Sequence, residues 1–181
     1  MNLNVAHIHI LLNHLPIIGT LVGLLLLAAG LFRKSDELKR VSFTAFVITA
    51  LITIPVYLTG EPAANIVEKL PDVTEALVDT HKDAATISFI AVGILGVVAL
   101  WGLWRYRRAD IIPQRFVILL LAVSVVATGL MMWTGFLGGQ IRHTEVRAAL
   151  VVPSESKPHF ANCTATEQSI RRRAAIEPFS T

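Results

Sequence analysis

The sequence predicts an all-α integral membrane protein built as a four-transmembrane-helix up-down bundle. Of its 181 residues, 54% are hydrophobic and only 16% are charged, and the mean hydropathy is +0.61. These values lie far from those of soluble domains. Four apolar stretches are long enough to cross a bilayer core of about 30 Å, which takes about 20 helical residues. The stretches lack the alternation of a membrane barrel, so helices must satisfy the backbone in lipid.

The spans divide the chain into a membrane domain and a tail. The predicted spans are about residues 8–32, 41–59, 84–104 and 116–137. They belong to a membrane domain over residues 1–150, and the polar, proline-containing tail over residues 151–181 is predicted to be flexible or bound to a partner. The first span has no basic residue before Arg33 and no cleavage site, which are the features of a signal peptide. We therefore expect it to remain in the mature protein. The single cysteine, Cys163, excludes an intramolecular disulfide and a paired-cysteine metal site.

The first span begins with "HIHILLNHLP", residues 7–16, which holds three histidines. His7 and His14 are seven residues apart and share a helix face, whereas His9 is expected to point elsewhere. Pro16 lacks a backbone donor, so it is predicted to kink the helix or to start it. The small-residue spacings Gly19xxxGly23 and Gly135xxxGly139 favour close helix packing.

A helical outer hairpin is predicted between the second and third spans. Gly60 is expected to end the second helix and Pro62 to start a short surface helix. Asp72, with Glu75 three residues later, has the pattern of a capping box, so the third helix is predicted to begin near Val73. In that helix His81 falls on the apolar face.

Charge predicts the orientation in the membrane. The segments "RKSDELKR" (33–40) and "RYRRADIIPQR" (105–115) each hold four Lys or Arg residues and are predicted to be cytoplasmic. The acidic loop 61–83 and both termini then lie outside. This places five of the six histidines at the outer face, and Trp101 and Trp104 at the inner interface as an aromatic anchor.

The grouped histidines predict a cofactor site. The first and third helices are diagonal in such a bundle, so His14 and His81 are expected to face each other as axial ligands of a b-type haem. His143 and His7 are the alternative ligands, and Arg142 is expected to pair with a propionate. Two other readings stay open, which are a small Zn or Cu site and histidines that only bond headgroups, water or carbonyls.

Several functional classes are excluded. The sequence has no GxSxG, HExxH, P-loop or GxGxxG pattern, so nothing indicates a hydrolase or a nucleotide enzyme. The net charge of +3 does not indicate a nucleic-acid partner, because the basic residues lie beside helix ends.

Three motifs resemble a known group of proteins. "HILLNHLPIIG", "TGEPAANIVEKLPDVTEALVDTHKDAA" and "GGQIRHTEVR" are similar to motifs of a domain-of-unknown-function family of small four-helix bacterial inner-membrane proteins. Some members of that family are described as predicted haem-binding or cytochrome-like proteins. The resemblance covers about residues 5–150 and implies the fold, a common site of His14, His81 and His143, and a role beside redox partners.

Residues and resemblance together predict a membrane b-type cytochrome-like subunit of the bacterial inner membrane with periplasmic termini. It would pass electrons between a periplasmic or membrane redox partner and the quinone pool or a larger complex, and it would not be an enzyme alone. Its partners would be the lipid bilayer and other redox subunits, with quinone as a further candidate. The alternatives are a cofactor-free accessory subunit of a larger membrane complex and a Zn- or Cu-binding membrane protein.

Overall fold

All regular structure in the described part of the chain is helical. The computed structural model describes residues 5–70, 73–109 and 111–142, with only the backbone of Arg142. The helices are α1 (Val5–Leu12), α2 (His14–Phe32), α3 (Asp36–Val67), α4 (Glu75–Arg105) and α5 (Gln114–Arg142). Four spans, with α1 and α2 counted as one, are long and apolar enough to cross a membrane. The predicted set of four such helices is therefore confirmed, and the predicted tail lies outside the described residues.

The long helices close into a ring. α2 packs against α3, α3 against α4, α4 against α5, and α5 against α2, while α1 packs mainly against α3. The interior is filled by fully buried apolar side chains, the largest of which include Leu27, Phe43, Phe46, Leu95 and Leu120. Other large apolar side chains point outward, such as Leu25, Leu51 and Val97, which are 60%, 60% and 67% exposed. Apolar surface on this scale is expected of a protein that faces lipid.

Glycines let the helices approach closely. A Cβ atom at Gly19 or Gly23 of α2 would collide with Thr49 or Phe46 of α3. This confirms the close packing predicted from the first small-residue pair. In the second pair Gly135 packs against Ile17, whereas no described residue lies within 4 Å of a Cβ built at Gly139. Among the described residues, the second spacing therefore does not act as a packing pair.

Asn13 interrupts the first span between α1 and α2. Pro16 lies in the first turn of α2 and has no N–H to donate to the carbonyl of Leu12, one turn earlier. The backbone of Asn13 stays helical, with φ −64° and ψ −20°, and its N–H still donates to the carbonyl of His9 at 2.9 Å. Pro16 thus lies in the first turn of α2, within a span that continues from α1.

The outer hairpin is built differently from the prediction. α3 continues through Gly60 and Pro62 to Val67, so the expected helix end at Gly60 and the separate surface helix are wrong. Membrane helices tolerate internal Pro and Gly where neighbouring groups satisfy the backbone, and the Thr59 hydroxyl donates to the carbonyls of Pro55 and Val56 at 3.0 and 2.9 Å. The hairpin consists of the ends of α3 and α4 themselves.

The start of α4 also differs. Its N-cap is Thr74, in an extended conformation, so the helix begins at Glu75 and not near Val73. Asp72, the predicted N-cap, lies outside the described residues. With Glu75 as the first helical residue, it does not occupy the third position that a capping box requires.

Gly23→Ala tests the close approach of α2 and α3. The new Cβ would meet the rigid ring of Phe46, so we expect the free energy of unfolding to fall by about 1–3 kcal/mol, as for other overpacked cores. Thermal unfolding in one detergent measures the change. Gly129→Ala is the matched control, because its Cβ would meet nothing within 4 Å. Equal unfolding temperatures for the two variants would contradict the packing described for Gly23.

Candidate functional site

A cavity of about 270 Å³ lies at one end of the bundle. It is formed by α1, the C-terminal part of α3, the N-terminal part of α4 and the C-terminal part of α5. Its walls are mainly apolar, with Ala6, Val56, Val78, Phe89 and Met131 among them. Sites for small molecules are typically apolar cavities of about 300–1,000 Å³ with a few polar groups. The cavity therefore lies just below the lower end of this size range.

His9 enters the cavity from α1. Its Nδ1 lies 3.2 Å from the carbonyl oxygen of Val56 and 3.2 Å from the hydroxyl oxygen of Thr59, both on α3. The half-buried ring packs beside Gly60, where a Cβ would lie 3.6 Å from the imidazole Cε1. A carbonyl oxygen can only accept, so Nδ1–H is the donor, and in the neutral imidazole Nε2 keeps its lone pair.

His81 enters the cavity from α4 in the same manner. Its Nδ1–H donates to the carbonyl oxygen of Thr134 on α5 at 3.1 Å. The ring packs against Gly138, where a Cβ would lie 3.0 Å from its Cε1. The hydroxyl groups of Thr134 and Ser88, both buried, are 2.7 Å apart and tie α4 to α5 beneath the ring. His81 therefore also keeps its lone pair on Nε2.

The two histidines share one hydrogen-bonding arrangement. Histidine that ligates a metal commonly donates its other ring N–H to a backbone carbonyl, which fixes the tautomer and the orientation of the ring. His9 and His81 both have this arrangement and line the same cavity. Their Nε2 atoms are suited to ligate a metal centre or to accept a hydrogen bond from a bound ring.

The cavity has a charged edge and an unsatisfied polar atom. Lys82 of α4 forms an ion pair with Glu61 of α3 at 2.9 Å, and both side chains are partly exposed. The amide oxygen of Asn13, a residue that lines the cavity, is buried and has no hydrogen-bond partner within the described ranges. A buried amide oxygen normally accepts a hydrogen bond, so this atom is available to a donor in the cavity.

The structure does not bring His14 to His81 as the sequence predicted. His14 is exposed, does not line the cavity, and its Nδ1–H donates to the carbonyl of Ile10 in the preceding turn at 3.1 Å. His9 lines the cavity together with His81 in its place, which differs from the expectation that His9 points elsewhere. His7 is exposed on α1.

A signal for His9 is present in the sequence. The cavity-lining residues of the first span are Ala6, His9, Ile10, Asn13 and Ile17, which follow helical spacing. Polar His9 and Asn13 are four residues apart on that stripe, whereas His14 is one residue, or about 100°, off it. The shared face of His7 and His14 favours His14 as the ligand, whereas this spacing favours His9.

Other predicted site residues lie beyond what the structure describes. His143 and the side chain of Arg142 are outside the described residues, so their roles as ligand and propionate partner stay predictions. The hydroxyl pair of Ser88 and Thr134 and the ion pair of Glu61 and Lys82 were not singled out for this site. Their partners are on other helices, so no local spacing marks them.

Gly138→Ala tests the packing of the His81 ring against Gly138. The new Cβ would lie 3.0 Å from Cε1, so the ring must shift by a few tenths of an ångström, and we expect this shift to weaken its hydrogen bond to the carbonyl of Thr134. We expect a loss of about 1 kcal/mol in the free energy of unfolding, the typical worth of one hydrogen bond. Thermal unfolding against Gly139→Ala, the neighbouring position with open space, measures it. Equal stability of Gly138→Ala and Gly139→Ala would contradict the packing of the His81 ring against Gly138.

Comparison with known proteins identifies a family. No curated protein and no solved structure is detectably similar to the chain. A family described as "Predicted membrane protein (DUF2231)", whose function is unknown, matches residues 6–146. The match includes all four spans except Val5, and every residue named above as lining the cavity. The chain therefore belongs to the DUF2231 family of predicted membrane proteins.

Proposed function

We propose that this protein is a membrane b-type cytochrome-like subunit that transfers electrons and holds haem with His9 and His81. The observation that carries the proposal is the matched pair of imidazoles, each with Nδ1–H bonded to a carbonyl and each lining the same apolar cavity. Two imidazoles from different helices of a bundle are a common ligand set for a low-spin electron-transfer haem.

The two imidazoles fit haem as axial ligands, but the cavity must widen to hold the macrocycle. About 270 Å³ is less than the volume of many sites for drug-sized ligands. A macrocycle therefore requires a wider cavity than the one described. We expect the helices that line the cavity to move apart as bonded pairs, α1 with α3 and α4 with α5, when the site is loaded.

The residues of the chain hold and tune such a group. When bound, haem supplies a one-electron Fe(III)/Fe(II) couple. The carbonyls of Val56 and Thr134 fix the orientation of the two imidazoles. The apolar walls exclude water, and Lys82 at the edge supplies a cation for a carboxylate substituent. Lys82 would act beside Arg142, whose pairing with a propionate stays a prediction.

The proposal includes an orientation and partners. The segments 33–40 and 105–115 would face the cytoplasm of a bacterial cell, and the histidines and both termini would face the periplasm. Electrons would pass between a periplasmic or membrane redox partner and the quinone pool or a larger complex. Such a subunit would not turn over a substrate alone.

Binding of a quinol headgroup is a second candidate function of the same cavity. The unpartnered amide oxygen of Asn13 favours it, because a quinol hydroxyl group can donate to that oxygen and a haem carboxylate cannot. The Nε2 atom of His9 or His81 would accept from the other hydroxyl group. A single aromatic ring also requires less volume than a macrocycle.

A difference spectrum tests the haem proposal. We expect the purified full chain to show a reduced-minus-oxidised b-type band that is lost in His9→Ala and in His81→Ala. His14→Ala is the control, because His14 is exposed and lies off the cavity, so the band should remain. Helical content measured by circular dichroism shows that each variant is folded.

Other outcomes would overturn this assignment. Loss of the band in His14→Ala alone would move the ligand to the outer surface of the first span. A colourless, iron-free protein with quinone in its organic extract would support the second candidate. A colourless protein with neither would favour an accessory subunit, and bound Zn or Cu found by elemental analysis would favour a small-metal site.

A further inference from the structure

The end of the bundle opposite the histidines carries a cluster of exposed cations, called here the basic end. Its members come from the turn between α2 and α3 and from the region that joins α4 to α5. They are Arg33, Lys34, Arg105, Arg107, Arg108 and Arg115, all of them exposed.

Buried and half-buried polar groups hold the two segments of the basic end together. The guanidinium group of Arg40 donates to the carbonyls of Tyr106 and Ala109 at 2.8 and 2.7 Å. Asp36 accepts from the backbone N–H of Ile112 at 3.2 Å and pairs with Lys39 at 2.9 Å. The exposed cations are therefore presented side by side on a fixed framework.

The exposed cations form no ion pair with another described residue. Over residues 5–70, 73–109 and 111–142, neither of the two ion pairs includes any of the six cations. Asp36 already pairs with Lys39, and Arg105 lies 5.4 Å from the centre of the Tyr106 ring. Glu37 is the exposed carboxylate of these segments within the described ranges. The basic end thus keeps a large excess of positive charge available to an external anion.

Aromatic side chains place these cations at the edge of the apolar surface. Trp101 and Trp104 are 48% and 62% exposed, and the ring of Trp101 lies 5.5 Å from that of Phe116. Tryptophan is enriched at the level of lipid headgroups. Cations just beyond exposed tryptophans lie where phospholipid phosphates are found.

We propose that the basic end binds the headgroups of anionic phospholipids. Charge complementarity and position both favour this occupant, because the cations border a surface that already faces lipid. Each Lys or Arg near an anionic membrane surface contributes about 1 kcal/mol, or roughly fivefold in affinity. Salt should weaken the interaction, because the cations are exposed.

Quenching of tryptophan fluorescence by brominated lipid tests the proposal. The full chain carrying Trp133→Phe retains two tryptophans, Trp101 and Trp104, both beside the basic end. It is reconstituted into phosphatidylcholine vesicles that contain brominated phosphatidylglycerol or brominated phosphatidylcholine. We expect stronger quenching by the anionic lipid, with a preference that falls about 25-fold in Arg107→Gln/Arg108→Gln, from roughly fivefold per charge.

Matched variants separate charge from folding. Arg107→Lys/Arg108→Lys should keep the preference, and so should Lys69→Gln, which removes an exposed cation at the opposite end. Arg33→Gln, in the other segment, should lower the preference about fivefold. This variant tests the proposal even where the double variant fails to fold. Raising the salt to about 1 M, where the Debye length is about 3 Å, should reduce the preference.

Three results would overturn the proposal. The first is equal quenching by the two brominated lipids in the Trp133→Phe parent. The second is a preference that neither Arg107→Gln/Arg108→Gln nor Arg33→Gln reduces, or that Lys69→Gln reduces as much. The third is full loss of the preference on adding millimolar inorganic phosphate at constant ionic strength, which would assign the surface to a free anion.

Discussion

Close helix approach at glycine positions is the constraint on which the rest of the structure depends. Lipid is as apolar as the helix surfaces, so burial of apolar surface contributes little to helix association. Packing contacts between the helices must stabilise the bundle instead. Gly19 and Gly23 admit Thr49 and Phe46 of α3, and Gly102 admits Phe116 of α5. The same device recurs at the histidine end, where Gly60 lies beside the His9 ring and Gly138 beside the His81 ring. Each imidazole is thereby brought close enough to a neighbouring helix to bond one of its carbonyls.

These carbonyl bonds connect the fold to the proposed chemistry. Each joins the helix that bears the histidine to a neighbour, α1 to α3 and α4 to α5, so the tertiary packing itself selects the tautomer. Movement of either pair of helices would turn a ring and change the direction of its Nε2 lone pair. A site of this kind is as rigid as the helix pairs that support it, which suits a group whose potential depends on its ligands.

The sequence alone predicts the membrane helices well and the site only in part. Hydropathy locates the four spans because a bilayer demands a length of apolar chain that few other structures require. Gly60 and Pro62 were misread because tertiary partners let α3 continue through residues that end most helices. The exchange of His9 for His14 has a different cause, since α1 packs on α3 with the face that carries His9, and the shared face of His7 and His14 does not indicate that packing. Ser88 and Thr134 were missed because they meet across helices 46 residues apart in the chain.

The two proposed functions lie at opposite ends of the bundle, with the mainly apolar, histidine-lined cavity at one end and the anionic-lipid surface at the other. The central claim is that His9 and His81 both hold a proton on Nδ1 and present an unprotonated Nε2 to one cavity. Nitrogen-15 NMR of histidine-labelled protein in bicelles tests it most directly at about pH 8, above the usual histidine range. Resonances assigned by His9→Gln and His81→Gln should show protonated Nδ1 and unprotonated Nε2 for both residues. Protonated Nε2 on either residue would contradict the claim.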